Sequence, residues 1–466
     1  GNKYRICLIT PKSISRKDFA PKLKRNNRMK IIIQNGFILP MNRKEGEPLY
    51  FKGHLIIEGN IIVLITTDIS EIEAYCRNNE VRIIDATNKI VMPGLINTHT
   101  HVPMTLMRGY ADDMSLMEWL NTKIWPFESM LTGEDAYWGS MLGIAEMLLG
   151  GTTSFIDMYF FIPDIHRAVK KQGVRAMLSG VVFDSSNKTF EKEFEKTWNN
   201  WDDNNQRLSL CLGPHAPYTC NPETLQTVSR LANKHNLPIH IHLAETKDEI
   251  NQIHQRYDVT PARYLYEHGV FGNRTLAAHC IYLNEKDIEL LKQNNVSILH
   301  NPHSNMKLAS GIAPISNYLS KEINVSIGTD GASSNNNLCM WEEMRTASLL
   351  QKVSTLDPCV LNAYQTLRLA TVNGAKTLGL ENKLGILKEG ALADVILIDL
   401  NKPHLYPQFD LITHLVYSAR SEDVDTVIVD GNIVVDNRML LTADLGEVCH
   451  EVEMRAKRIA MQVSQN

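Results

Sequence analysis

From residue 30 to about residue 90 the apolar positions come in short β-branched runs, not at helical spacing. "MKIIIQNGFILP" opens the patterned sequence at Met29. "HLIIEGNIIVLI" follows, two runs joined by Glu58-Gly59-Asn60, which predicts a hairpin, and "VRIIDATNKIVMPG" supplies further strands. The far end repeats the pattern in "ALADVILIDL" (391–400) and "DTVIVDGNIVVDN" (425–437), with a second Gly-Asn turn. Chain ends that meet around a central domain are common, so these two regions are expected to form one small β-sandwich.

Between them the period changes. Eight apolar runs read as strands: "KIVMPGLINTH", "TTSFIDMYF", "RAMLSGVVFD", "LSLCLGPHAP", "LPIHIHLAE", "TLAAHCIYL", "VSILHNP" and "INVSIGTD". Amphipathic helices separate most of them, for example Glu134–Gly150, Pro222–His235 and Asn284–Asn294. Eight such repeats predict a closed parallel (β/α)8 barrel of the TIM type. No Gly-x-Gly-x-x-Gly follows an early run, which counts against an open dinucleotide-binding sheet. The expected units are a basic extension (1–28), the β-sandwich (29–90 with 385–440), the barrel (91–384) and a C-terminal helix (441–466).

Composition narrows the class. Of 466 residues 44% are hydrophobic and 21% charged, as in an ordinary globular chain. The net charge of -4 counts against a nucleic-acid binder. No apolar run reaches the ~18 residues of a membrane helix. Eight cysteines are scattered with no Cys-x-x-Cys, which reads as reduced thiols in a cytoplasmic protein. In the first 28 residues Lys3, Arg5, Lys12, Arg16, Lys17, Lys22, Lys24, Arg25 and Arg28 face one acid, Asp18. That stretch reads as an extension outside the core, with a basic docking arm as the alternative.

The polar residues at the strand ends carry the chemistry. The first run ends in His99 and His101, the fourth in His215. The fifth carries His240 and His242 with Glu245 just beyond, the sixth His279, and the eighth ends in Asp330. Active sites of barrels sit at this C-terminal rim. Residues i and i+2 of a strand share a face, so His99 and His101 can reach one ion on the barrel axis. One His-x-His alone has many chance matches. With His242 and Asp330 it makes a set suited to Zn²⁺ or another first-row divalent ion, and imidazole and carboxylate do not by themselves select zinc over iron, manganese or nickel. His240, two residues deeper, reads as a buried histidine satisfied by its neighbours.

In order along the chain, "PGLINTHTH", "GPHAPYTC", "IHIHLAET", "AAHC", "HNPHSNMKLASGIAP" and "GTDGASSNNNLCMWEEMRTASLLQK" resemble the amidohydrolase superfamily, and most of all its 5'-methylthioadenosine/S-adenosylhomocysteine deaminases. The resemblance runs from about Met29 to Asp436 and implies a (β/α)8 barrel with a flanking β-sandwich. It implies that His99, His101, His242 and Asp330 hold one catalytic metal and that Glu245 shuttles protons. It places His279 against the metal-bound water, His215 against the purine, and Glu128 of "KIWPFE" against the ribose hydroxyls. Strand four ends in His215 and offers no Lys to bridge two ions, so a single ion, Zn²⁺ before the others, is expected. Members are often dimers or larger, so the expected partners are a nucleoside substrate and further copies of the chain, with no membrane or nucleic acid.

Hydrolytic deamination of an aminopurine needs a nucleophile at neutral pH, a proton for the ring, and an exit for ammonia. A divalent ion lowers the pKa of bound water to ~7. Asp330 can take that water's proton and His279 can orient it. Glu245 must start protonated to serve purine N1, and burial favours that form. Its alternative role is to orient His242. Trp119 and Trp125 in "LMEWLNTKIWPFE" (116–128) can wall a planar base, although each also reads as helix packing. "DMYFF" (157–161) can line a methylthio group or serve the core. There is one departure from the family. Some members carry Arg near the end of strand three to pair with a homocysteine carboxylate, whereas here Gly180 occupies such a position and Lys188 is no planar clamp. The resemblance therefore implies 5'-methylthioadenosine or adenosine ahead of S-adenosylhomocysteine. Alternatives are the same site acting on guanine, a pterin or an s-triazine, a barrel kept as a scaffold without catalysis, or hydrolysis of a cyclic amide.

Overall fold

The structure, a computed structural model, describes residues 30–201 and 207–465, with every side chain among them except those of 186–188. The basic stretch 1–28 lies outside the described residues, as does the side chain of Lys188.

Each of the eight apolar runs contributes one strand of a parallel sheet: Leu95–Thr100, Thr152–Tyr159, Arg175–Val182, Leu208–Pro214, Ile239–Leu243, Thr275–His279, Ser297–His300 and Val325–Ile327. Neighbours in sequence are neighbours in the sheet. Covered by helices outside and side chains inside, these strands are buried almost throughout, which explains their near-continuous apolar character. Side chains close the circle between the first and eighth strands. Asn97 Nδ2 donates to Thr329 Oγ1 at 2.8 Å, and Thr329 N–H donates back to Asn97 Oδ1 at 3.0 Å. The Thr98 hydroxyl donates to the Ile327 carbonyl at 3.0 Å. Asp330 N–H donates to the His99 carbonyl at 2.9 Å, so the seam of the barrel also brings Asp330 beside His99.

The two chain ends form a second, mixed sheet of nine strands. They meet where Lys89–Pro93 runs antiparallel to Val395–Asp399. The expected sandwich is thus one continuous hydrogen-bonded sheet. Alternation along Lys30–Ile38 explains the triple isoleucine: Ile31 and Ile33 enter one core, while Ile32 packs with Ile56 and Ile72 beneath helix Ile69–Asn78. The run "KIVMPGLINTH" splits in two, with Lys89–Pro93 in this sheet and Leu95–Thr100 in the barrel. Gly94 makes the crossing possible, because a Cβ there would lie 2.0 Å from Thr153 Oγ1.

A buried ion pair ties the sheet to the third barrel strand. Arg175 donates to Asp394 through two nitrogens, at 2.8 and 2.9 Å, and to Asp430 at 3.2 Å. Both faces of this bidentate contact are nearly inaccessible, and removing one partner of such a pair costs about 3–5 kcal/mol. The C-terminal helix Leu445–Gln465 packs on helix Gly133–Leu149, where Arg455 and Arg458 donate to buried Asp135 at 3.0 and 2.6 Å. Among the described residues no helix is long and apolar enough to cross a membrane.

Candidate metal and active site

The ring nitrogens of the strand-end histidines converge, and their hydrogen bonds say which nitrogen is free. His101 Nδ1 lies 2.6 Å from the Met158 carbonyl and His242 Nδ1 lies 2.6 Å from the His215 carbonyl. Each carbonyl requires an N–H donor, so both rings turn an Nε2 lone pair toward the barrel axis. His279 Nδ1 is similarly committed to Asn305 Oδ1 at 2.8 Å. His99 Nδ1 meets His240 Nε2 at 2.8 Å, and His240 Nδ1 meets the Ser179 hydroxyl at 3.1 Å. One consistent assignment has His99 donating to His240 and His240 donating to Ser179, which leaves His99 Nε2 as a lone pair too.

These lone pairs share a small volume. His99 Nε2 and His101 Nε2 lie 3.4 and 3.1 Å from Asp330 Oδ1, and His242 Nε2 lies 3.3 Å from His101 Nε2. His99 Nε2 is buried without a hydrogen-bond partner. Two sets that could hold one ion overlap here, His99–His101–His242 and His99–His279–Asp330. Imidazole lone pairs facing one another around a carboxylate repel unless a proton or a cation lies between them, so the donor set fits a divalent cation. Burial pushes the His99 imidazole down to about 4 and holds His242 and His240 well below the usual range, in the neutral form a ligand needs. Burial works the same way on His101, but the Asp330 carboxylate outweighs it and lifts His101 to about 9. That charged pair holds the proton a bound cation would displace.

Backbone geometry aims the remaining groups. Ala244, His279 and Asp330, at the ends of strands five, six and eight, all adopt left-handed φ of 51°, 74° and 62°. Such values are uncommon without glycine and are held by the surroundings. Glu249 does the holding on strand five: its carboxylate accepts from Ala244 N–H at 2.8 Å and from Glu245 N–H at 3.0 Å. Glu245 is thereby turned into the site, 5% exposed, with Oε2 3.7 Å from His279 Nε2. Burial, then the charge of Asp330, raises its pKa over the opposing pull of His279 and His101, which favours the protonated acid. Asp157 anchors the loop after strand one, its Oδ1 accepting from Thr100 Oγ1 and Val102 N–H at 2.7 Å each.

A chamber opens in front of these groups, lined by His101, His215, His242, Glu245, His279 and Asp330 on the polar side. Trp119, Trp125 and Glu128 line it from the segment 116–128, where the helix widens into a π-helical turn at Leu120–Ile124, a feature frequent at functional sites. Trp119 is buried and donates its indole N–H to the Ala111 carbonyl at 3.2 Å, so its face, not its polar edge, serves the chamber. His215 stacks on Phe183 with ring centroids 4.6 Å apart, and Thr219 Oγ1 lies 3.0 Å from its Nδ1. Burial pushes the Glu128 carboxyl up to about 7 against the Tyr159 phenol and His101.

Of the nine residues proposed for the site from sequence, eight line this chamber, and the ninth, His99, is fully buried with its Nε2 3.4 Å from Asp330 Oδ1. Sequence reasoning missed Glu249 and understated His240. A signal for Glu249 exists: Thr246-Lys-Asp-Glu249 is a capping-box sequence. Thr246 does cap helix Lys247–Tyr257, but Glu249 reaches past the cap to the two preceding N–H groups.

Comparison with known proteins follows the same line. The amidohydrolase family model matches residues 90–434. The chain is 49% identical over 434 residues to a 5-methylthioadenosine/S-adenosylhomocysteine deaminase of Pelotomaculum thermopropionicum, covering 92% of this chain and 98% of that one. It is 50% identical over 380 residues to the protein of the same description from Dictyoglomus thermophilum, covering 80% and 88%. Among solved structures, an adenosine deaminase from Xanthomonas campestris with bound zinc superposes with a TM-score of 0.88 at 33% identity, covering 93% of this chain and 99% of that one.

Proposed function

The chain belongs to the amidohydrolase family, and from that premise we propose how its site works. It is a metal-dependent hydrolytic deaminase of adenine nucleosides, exchanging the C6 amino group for oxygen from water and releasing ammonia. The observation that carries the mechanism is the convergence of imidazole Nε2 atoms on Asp330 with buried Glu245 alongside.

His99, His101, His242 and Asp330 would hold one divalent cation, which we assign as Zn²⁺ from the three-imidazole, one-carboxylate set and the zinc bound by the Xanthomonas relative. Such an ion supplies Lewis acidity and makes water a nucleophile at neutral pH. The protein's own groups do the rest. His215 and Trp119 position the purine, and Glu128 in its ionised form accepts from the ribose hydroxyls. Glu245 begins as the acid and donates to N1, which makes C6 electrophilic. Asp330 accepts the proton that water gives up as its oxygen adds to C6, while the Nε2 lone pair of His279 orients that water. The proton taken up by Asp330 passes to the amino group so that ammonia leaves, N1 keeps the proton from Glu245 in the inosine product, and the remaining C6 hydroxyl proton passes to the Glu245 carboxylate as the carbonyl forms, which restores the acid.

Among the described residues that line the pocket beside Gly180 there is no Arg, and the only Arg of strand three, Arg175, lies at its other end in the ion pair with Asp394, which favours 5'-methylthioadenosine or adenosine over S-adenosylhomocysteine. The test is ammonia release from adenosine, 5'-methylthioadenosine, S-adenosylhomocysteine and guanine, with the adenine-to-hypoxanthine absorbance change followed for the first three, each with the cation supplied and chelated. Turnover of guanine alone, or a kcat/KM for S-adenosylhomocysteine well above that for methylthioadenosine, would overturn the substrate assignment.

A further inference from the structure

In the proposed mechanism His279 orients the water and Asp330 takes its proton, yet the two stand on separate elements, with His279 Nε2 3.8 Å from Asp330 Oδ2. His279 is aimed by Asn305, which the short helix Pro302–Lys307 carries. Asp330 stands at the start of the loop after strand eight, and Asn335 holds that loop. The Asn335 Nδ2 donates to the Thr329 carbonyl at 2.7 Å. That carbonyl shares a peptide group with the Asp330 N–H, which in turn donates to the His99 carbonyl at 2.9 Å. The peptide that enters the left-handed turn at Asp330, φ 62°, is thus held on both sides. The second hydrogen of the Asn335 amide goes to the Glu343 carboxylate.

Glu343 lies on the helix Met340–Thr355, is fully buried, and stays outside the lining of the chamber. Its Oε1 accepts from Asn335 and lies 2.8 Å from His303 Nδ1, and its Oε2 accepts from His303 N–H at 3.4 Å. His303 is in the first turn of the helix that carries Asn305, so one carboxylate grips both carriers at once. The Ser304 hydroxyl adds a direct link between them, donating to Ser334 Oγ at 2.9 Å. Apolar residues often replace a buried charged network with no loss of stability, so stability alone does not account for a carboxylate here. We infer that Glu343 is a positioning residue for the reaction: through Asn335 it fixes the peptide that aims Asp330, and through His303 it fixes the helix whose Asn305 aims His279. The inference rests on the deaminase reading above and deepens it. A misplacement of about 1 Å at reacting groups costs on the order of 100-fold in rate. The purine and ribose contacts of Trp119, His215 and Glu128 come from other elements, so substrate binding is left intact.

The experiment measures zinc affinity by competition with a chelating dye, kcat and KM for adenosine, and Tm, in the full chain and in Glu343→Leu, Glu343→Gln, Asn335→Ala and Ser348→Ala. Ser348 lies on the same helix as Glu343, is fully buried and donates to the Leu361 carbonyl at 2.8 Å, so its loss removes a buried bond without reaching the site. Glu343→Leu and Asn335→Ala are expected to weaken zinc binding about 10–100-fold, as loss of a partner behind a metal ligand does. Their kcat should fall at least about tenfold, with KM within about twofold of the wild type. Glu343→Gln keeps an oxygen for Asn335 and His303 and should recover part of both losses. Ser348→Ala should lower Tm and leave zinc affinity and kcat unchanged. If the wild type deaminates no nucleoside, yet zinc affinity falls in Glu343→Leu and Asn335→Ala and not in Ser348→Ala, the deaminase reading fails and the brace on Asp330 stands. If Asn335→Ala keeps wild-type zinc affinity, or Ser348→Ala loses as much affinity and kcat as Glu343→Leu, the inference is overturned. Should Glu343→Leu not fold, Asn335→Ala decides the matter alone.

Discussion

His240 makes no contact with the proposed cation, yet it should control how tightly that cation is held. Its Nε2 meets His99 Nδ1 at 2.8 Å, and both residues are completely buried. In His240→Leu the size of the side chain is roughly kept but His99 loses the acceptor for its Nδ1–H. A buried donor left unmet costs about 1–3 kcal/mol. The His99 ring also loses the bond that fixes its tautomer and direction, and loss of such a partner typically weakens metal affinity about 10–100-fold. At about 1.4 kcal/mol per decade that is roughly 1.4–2.7 kcal/mol. Competition against a chelating dye measures the affinity directly. Because an ion that binds only the folded state raises stability by RT ln(1 + [L]/Kd), thermal melts with and without zinc should show the same loss in the zinc-dependent increment. His240→Gln, which keeps an acceptor, should recover part of it. Wild-type affinity in His240→Leu beside lost affinity in His99→Ala would refute the reasoning and leave His240 as packing alone.

Glu245→Gln should retain one equivalent of cation and lose about 10²–10⁴ in kcat, the usual worth of a general acid, read by ammonia release; a loss below about fivefold would remove Glu245 from that role. Glu249→Gln replaces one of two acceptors for the Ala244 and Glu245 N–H groups, so kcat should fall about tenfold, the order of one lost hydrogen bond, with KM and metal content unchanged. A KM effect without a kcat effect would contradict that assignment. Glu128, pushed up to about 7 by burial, accepts from ribose only when ionised, so kcat/KM for adenosine should climb as pH rises through about 7, and Glu128→Gln should flatten the climb at a low plateau. The stability sign is opposite: a raised carboxyl pKa contributes stability that is full below the ordinary value of 4.5 and lost as pH rises through about 7, so melting of the wild type, but not of Glu128→Gln, should weaken across that window.

The barrel was legible because its strands are buried on both faces and carry their candidate metal ligands toward one end. The i, i+2 spacing placed His99 and His101 on one face, and the structure brings their Nε2 atoms within reach of Asp330. What stayed hidden depends on atoms from distant segments. Nothing local distinguishes His240 from His242 except depth; the difference is that His240 meets His99 Nδ1 and His242 meets a backbone carbonyl. The break at Gly94 was invisible because apolar residues continue without interruption through "KIVMPGLINTH", and only the close approach of Thr153 shows where the chain changes sheets. Likewise Glu249 sits in a readable capping sequence, but its bonds go to a left-handed turn that no propensity foretells.

The most direct test is a metal titration. The protein is stripped with chelator, zinc is returned in measured steps, and ammonia release from adenosine is followed. Activity should be absent in the stripped protein, rise linearly, and break at one equivalent per chain. Undiminished activity without any cation, or no recovery with zinc or another divalent ion, would contradict a single cation held by His99, His101, His242 and Asp330 as the centre of the chemistry.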